Sequence, residues 1–206
     1  MSDRQKASIR GLHDPNYLYI VKDLFEDTGG TALTAHVPDK DDLQGGWLVA
    51  GASGNGGSIS SGGVLADFGN VNEDRRNIID TGVADFVLEA RLNIVQSSFV
   101  GVCFSHSSAA DAAGYVFYYQ PGLNNVRLGR DSITVIQTGS PAQALVEDGS
   151  VYYTFRVEKT DDSILCYVNG VLVIDVTDSN YNGNHHGLFG WRDNGNRWRE
   201  FSLEAI

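Results

Sequence analysis

Asn169-Gly170 lies between two apolar runs, Ser163–Val168 (SILCYV) and Val171–Val176 (VLVIDV), and no other junction constrains the chain as much. A type I′ turn needs positive φ at both central residues, and Asn-Gly tolerates that conformation, so the two runs read as an antiparallel hairpin. Just upstream, Val151–Lys159 (VYYTFRVEK) alternates Tyr153, Phe155 and Val157 with Thr154, Arg156 and Glu158. That period of two is what a half-buried strand requires. Thr160-Asp161-Asp162 supplies the turn into the hairpin, and Gly187–Trp191 and a closing strand Trp198–Ile206 follow it.

The same punctuation runs through most of the chain. Strands are expected at Asp85–Ile94, Phe99–Ser105, Tyr115–Gln120, Asn125–Arg130 and Ser132–Gln137, with a short one at Trp47–Val49 and a hairpin over Ile59–Leu65. Regular short strands separated by turn residues are the pattern of a sandwich or jelly roll. Ser107–Ala113 is the best helical candidate and amounts to a turn or two. The expected fold is therefore all-β, an antiparallel β-sandwich, with residues 23–206 as one domain. Gly at 24 of 206 residues fits many tight turns, and 42% hydrophobic residues suffice for a core.

Residues 1–22 differ. Arg4, Lys6, Arg10 and Lys22 outnumber Asp3 and Asp14, and no periodicity begins before Tyr17. Two readings stay open: a frayed terminus ending in a first edge strand, or an arm that docks on a partner, anchored by Tyr17 and Tyr19.

Charge narrows the partners. The formal net charge of -11 argues against nucleic acid, whose binders need a basic footprint. It argues equally against an anionic membrane surface, while suiting high-salt solubility or divalent cations. No segment approaches the ~20 apolar residues of a membrane span. The first residues lack the apolar core and cleavage site of a secretion signal. A place outside the cell would then be reached by lysis, by a non-classical route or on a particle; otherwise the protein is expected in the cytoplasm. Cys103 and Cys166 lie mid-strand on apolar parity, as two buried free thiols or as a disulfide across facing strands, and neither has zinc-ligand spacing around it.

Asp23-Leu24-Phe25, Gly30-Thr31-Ala32-Leu33, His36-Val37-Pro38-Asp39 and Gly46-Trp47 together resemble the opening of concanavalin A-like (laminin-G-like) jelly-roll modules. Phe86–Ala90, Gly101–Phe104, Gly114-Tyr115, Tyr167–Gly170 and Gly187–Gly190 continue the likeness in the same order. The opening is similar to modules of phage and other virion surface proteins and of bacterial secreted proteins. The resemblance implies two packed sheets with a curved face or edge loops open to ligands, and by itself no activity.

Glycosidases of that superfamily carry paired carboxylates at alternate positions of one strand, typically Glu-x-Asp-x-(x)-Glu, to flank one bond. Here Glu89 stands alone in its strand, Glu147-Asp148 precedes a turn, Glu158 adjoins Lys159, and Glu73-Asp74 precedes Arg75-Arg76. No Gly-x-Ser-x-Gly elbow occurs, and adjacent His185-His186 cannot both face one metal in a regular strand. The chain is expected not to be an enzyme.

Three constellations are candidates for binding. Tyr118, Asn124 and Arg127, with Gln120 and Asn125 nearby, offer an aromatic face, amides and a cation, the groups that hold sugars. The competing reading is that Tyr115, Phe117 and Tyr119 fill the core while Tyr118 decorates the exterior. Trp191, Arg192, Asp193, Asn194, Asn196 and Trp198 form a polar turn bracketed by two Trp, either a ligand loop or a hairpin whose Trp residues cap the core. The resemblance further implies a calcium site, for which Glu26, Asp27, the Gly29 carbonyl and Glu200 are the candidate hard-oxygen ligands. The Asp39-Asp41-Asp42 turn is a rival location.

The function expected from these readings is a non-catalytic structural or adhesive module on a virion, a decoration or tail-associated protein. It would be held to capsid or tail through residues 1–22, with glycan binding and self-association left open. The alternative is a polysaccharide-acting glycoside hydrolase-like enzyme or its carbohydrate-binding module.

Overall fold

The computed structural model describes residues 19–50, 56–60, 64–66, 74–95, 98–108, 113–131, 134–191 and 195–206. Their strands, in chain order, are β1 (Tyr19–Asp23), β2 (Lys40–Asp41), β3 (Leu48–Ala50), β4 (Ser58–Ser60), β5 (Val64–Ala66), β6 (Asp74–Asp80), β7 (Phe86–Val95) and β8 (Phe99–His106). The series continues with β9 (Tyr115–Gln120), β10 (Asn125–Arg130), β11 (Thr134–Gly139), β12 (Asp148–Thr160), β13 (Ser163–Val168), β14 (Val171–Thr177), β15 (His185–Trp191) and β16 (Arg197–Ala205). A single 3-10 turn, Leu33–Ala35, is the only helical element among the described residues.

The strands form two sheets. A nine-stranded sheet runs β14-β13-β12-β7-β16-β1-β2, with β5 also pairing β16 and β4 pairing β5. A seven-stranded sheet runs β11-β10-β9-β8-β15-β6-β3. Every strand pairing is antiparallel. The all-β sandwich expected from alternation is thus the fold.

The core lies between the sheets. Phe86, Leu88, Ala90, Leu92 and Ile94 of β7 point inward with Phe155 and Val157 of β12 and Phe201 and Leu203 of β16. Val100, Val102 and Phe104 of β8 and Tyr115, Phe117 and Tyr119 of β9 face them, and Phe117 meets Phe155 across the gap at 5.0 Å between ring centroids. Each large apolar side chain so buried contributes about 1.5–3 kcal/mol. Between β13 and β14, Asn169 has φ 49° and Gly170 φ 76°, the positive pair a type I′ turn requires.

Two expectations change, and of the two cysteine readings the free thiols hold. β1 is not an edge strand: it pairs with β16 on one side and β2 on the other, and Tyr19–Lys22 belong to it, ahead of the boundary drawn after residue 22. Tyr17 and the rest of residues 1–18 lie outside the described residues. The last strand of the β9–β11 meander, expected at Ser132–Gln137, runs on to Gly139; Ser132 and Ile133 lie outside the described residues. Cys103 and Cys166 are both free and buried but stand on different sheets, Cys166 in the core and Cys103 on the outer side of the seven-stranded sheet. Burial pushes the Cys103 thiol up to about 12 and the Cys166 thiol up as well.

The segment carrying the opening of the family resemblance folds into a buried polar lock. Asp23, with no exposed surface, accepts from Trp47 Nε1 at 2.6 Å and from the Phe25 amide at 2.6 Å, and faces His36 Nε2 at 2.9 Å. His36 Nδ1 in turn faces Asp27 at 3.2 Å. Asp39 accepts from the Leu24 amide at 2.7 Å, so the acidic turn also serves the fold.

A second buried carboxylate joins the far end. Asp178 accepts from the Tyr115 hydroxyl at 2.5 Å and the Asn180 side chain at 2.8 Å, and pairs with Arg130. Burial pushes this carboxyl up, but the bonds from Tyr115, Asn180 and Arg130 outweigh it and hold it down at about 2. Its folded value lies below its unfolded one. Its contribution of about 2 kcal/mol is therefore complete above pH ~4 and disappears as pH falls toward 2. In urea titrations the stability gap between wild type and Asp178→Asn is expected to close over that window; a gap independent of pH would contradict the assignment.

Candidate functional site

The outer face of the seven-stranded sheet carries a second apolar cluster. Ala50, Ile78, Cys103, Val116, Tyr118 and Phe189 form it, with Phe99 and Trp191 packed at its margin. The register explains why. Tyr118 of β9 opposes Gly101 of β8, which opposes Phe189 of β15, so the three stand in one row across the sheet. In the next row Trp191 opposes Phe99. Phe99 lies 6.0 Å from Tyr118 and 4.5 Å from Trp191 between ring centroids, and Tyr118 lies 5.5 Å from Phe189.

This face is closed on one side. The Asp131 carbonyl, in the turn leaving β10, accepts from Arg76 on β6 at 2.5 Å, although four strand spacings separate β10 from β6 in the sheet. At ~4.8 Å per strand a flat sheet would hold them roughly 19 Å apart. Asp131 therefore comes over the outer face, and the surface is a trough whose floor includes Tyr118 and Phe189. Arg76 is held at the same time by Asp74 at 2.7 Å.

Polar groups collect at the β9–β10 end of the trough. Arg127 opposes Tyr118 and Asn125 opposes Gln120, which puts all four side chains on the outer face. The Tyr118 hydroxyl is pushed up by burial and held by Arg127. Gln120 Oε1, Asn125 Oδ1 and Arg127 Nε are each buried without a hydrogen-bond partner among the described residues. A buried polar atom without a partner costs about 1–3 kcal/mol and is rare in native proteins. Three on neighbouring positions of one hairpin, beside half-buried Phe99 and Trp191, make a surface unsatisfied by its own chain.

The sequence candidates divide here. Tyr118, Arg127 and Trp191, drawn from two separate constellations, stand on one face. Asn124 does not join them: with φ 46° and its Oδ1 accepting from the Leu145 amide at 2.9 Å, it holds the turn. Trp198 and Asn196 are corrections. Trp198 has no exposed surface, belongs to the inter-sheet core and donates from Nε1 to the Gly101 carbonyl at 3.1 Å. Asn196 is likewise enclosed and accepts from the Val95 amide at 2.8 Å. Arg192, Asp193 and Asn194 lie outside the described residues. Gln120 and Asn125, named with the aromatic constellation, join the face, and the residue passed over is Phe99. Parity opposite to Val100 was the signal that could have placed it outside.

The calcium candidates lie in the loop after β1 and on β16. Glu26 and Gly29 are exposed, and Asp27 directs its carboxylate to the Thr28 amide and to His36. Glu200 sits opposite Arg91 on the nine-stranded sheet. Among the described residues no three His, Cys, Asp or Glu side chains converge as a metal site needs. His186 is buried, accepts from the Ser105 amide and is pushed down to about 3 by burial, while its neighbour His185 contacts Asn184.

Glu89 does not stand alone in space. On the outer face of the nine-stranded sheet, Arg156 donates to Glu89 at 2.7 Å and to Glu158 at 2.8 Å. Glu204 lies close by; burial pushes it up to about 7, Arg156 opposing and Glu89 adding to the rise, and Tyr19 bonds to it. The three acids come from β12, β7 and β16, so a search along single strands misses them. Glu89 and Glu158 direct their oxygens to one guanidinium, an arrangement that neutralises acids instead of poising a pair across a bond.

Two antiparallel sheets packed as a jelly roll, with a polar and aromatic outer face, define a sandwich of the concanavalin A-like, galectin-like type. Solved structures share that fold. A protein of unknown function with a galectin-like fold from Bacillus subtilis matches with TM-score 0.57 and 12% identity, covering 91% of this chain and 97% of its own. A structure described with endo-acting O-glycanases that prominent members of the human gut microbiota express to initiate mucin breakdown matches at TM-score 0.56 and 11% identity, covering 92% of this chain and 100% of its own. The exoplasmic/lumenal domain of VIP36 in its Ca²⁺- and mannose-bound form matches at TM-score 0.54 and 8% identity, covering 78% of this chain and 83% of its own. None of these three is described as a phage or virion protein. No family model matches the sequence, and no curated protein does. Among the described residues no helix is long and apolar enough to cross a membrane.

Proposed function

We propose that this protein is a non-catalytic glycan-binding module that takes its ligand in the trough of the seven-stranded sheet. One observation carries the reading: Gln120 Oε1, Asn125 Oδ1 and Arg127 Nε are buried, adjacent and without partners among the described residues. A sugar supplies hydroxyls to such groups and a C–H face to neighbouring aromatic rings, here Phe99 and Trp191. The fold neighbours described with mannose and with mucin O-glycanases support a sugar as the ligand class. Display on a particle rests on the sequence resemblance alone.

The test joins a glycan array to a reducing-sugar assay. Binding without turnover is expected. Gln120→Ala and Asn125→Ala should each weaken binding at least tenfold while leaving thermal stability unchanged or raised, because each removes a buried group the fold leaves unsatisfied. Turnover of any bound glycan, or variants that bind like wild type, would defeat the proposal.

A further inference from the structure

We infer that the trough selects glycans bearing an anionic substituent, a carboxylate or sulfate, and that Arg127 is the group that reads it. This rests on the glycan-binding reading above. Three other arginines that lie against a sheet face or a core edge hold acids: Arg76 holds Asp74, Arg130 holds Asp178, and Arg156 holds Glu89 and Glu158, while Arg91 and Arg199 lie over the Tyr152 ring. Among the described residues Arg127 has no such ion pair and meets the neutral Tyr118 hydroxyl instead.

The surroundings make that absence informative. The chain holds 26 acidic residues against 15 basic ones, so a carboxylate is the statistically ready partner for any guanidinium. Yet the positions around Arg127 on this face are all uncharged: Tyr118 and Thr138 across the strands, Asn125 and Gly129 along its own. Asp74, which shares the face, is already engaged by Arg76. A half-buried guanidinium loses hydration without recovering it from a counter-charge. Its planar fork matches a carboxylate or sulfate through two parallel hydrogen bonds. Gln120 and Asn125 then take neighbouring hydroxyls, and Phe99 with Trp191 takes the ring.

The experiment compares wild type, Arg127→Gln and Arg127→Lys on an array of neutral glycans, uronic and sialic acid glycans, and sulfated glycans, at low and at 0.5 M salt. Wild type is expected to prefer acidic members at least tenfold, and the preference to shrink in salt. Arg127→Gln should weaken binding of acidic members at least tenfold more than binding of neutral ones, so that the preference disappears. Arg127→Lys should keep a weaker preference, since it retains charge without the fork. The carboxylated and sulfated members separate the two sources of anion. Equal affinity for neutral and acidic glycans in wild type, or a preference that survives Arg127→Gln, overturns this inference and leaves the glycan-binding reading standing. Absence of binding to every class overturns both.

Discussion

Asp23→Ala is expected to lower the free energy of unfolding by about 3–5 kcal/mol, the cost of removing one partner from a buried charged network. Three groups would lose their acceptor together: the Trp47 indole, the His36 imidazole and the Phe25 amide. None of the three residues regains water, because Trp47 is 1% exposed, His36 6% and Phe25 not at all. Burial raises the Asp23 pKa above the ordinary carboxylate value, with the bonds from His36 and Trp47 opposing the rise. The isolated charge is thus a burden that its partners offset. Asp23→Asn should cost less, since it keeps the shape and one acceptor oxygen. Its amide nitrogen, however, would face a donor. Urea unfolding followed by tryptophan fluorescence, to which Trp47, Trp191 and Trp198 all contribute, measures the loss. A domain at the low end of the usual 5–15 kcal/mol would stay folded only narrowly after the alanine change. A loss below about 1 kcal/mol would mean that the lock is not formed in solution.

That lock also shows what the sequence could and could not disclose. Asp23, His36 and Trp47 drew attention as a family pattern, but their contact depends on β1, the 3-10 turn and the approach to β3 meeting in space. Alternation is local, so Tyr153, Phe155 and Val157 were readable as inward, as was the Asn169-Gly170 turn. Sheet order is not local. β15 lies between β8 and β6, and β16 between β7 and β1, placements that no window of neighbouring residues encodes. The trough is assembled by that order: Tyr118, Phe99 and Trp191 come from three strands and meet only through it. Phe99 escaped notice because the stronger signal in its strand is the inward series Val100, Val102 and Phe104.

Trp198→Ala should destabilise the fold by about 3–5 kcal/mol, whereas Trp191→Ala should cost about 1 kcal/mol or less and remove glycan binding. In sequence the two residues bracket one polar turn almost symmetrically. In space that turn is no hairpin: β15 ends in the seven-stranded sheet and β16 begins in the nine-stranded one. The crossing turns one indole outward and the other inward. Trp191 packs on Phe99 at the open edge of the trough. Trp198 fills the space between the sheets, and its donation to the Gly101 carbonyl ties β16 to β8. Truncating it empties a volume that rigid strands on both sides cannot close, and strands that cannot relax leave the full cavity cost. Trp198→Phe should restore most of the packing and retain a loss of about 1–2 kcal/mol, since the ring is smaller and the N–H is gone. Chemical denaturation of all three variants, with glycan binding measured on the folded protein, separates the roles. If Trp198→Ala kept wild-type stability but lost binding, the turn would be the ligand site and the trough would not.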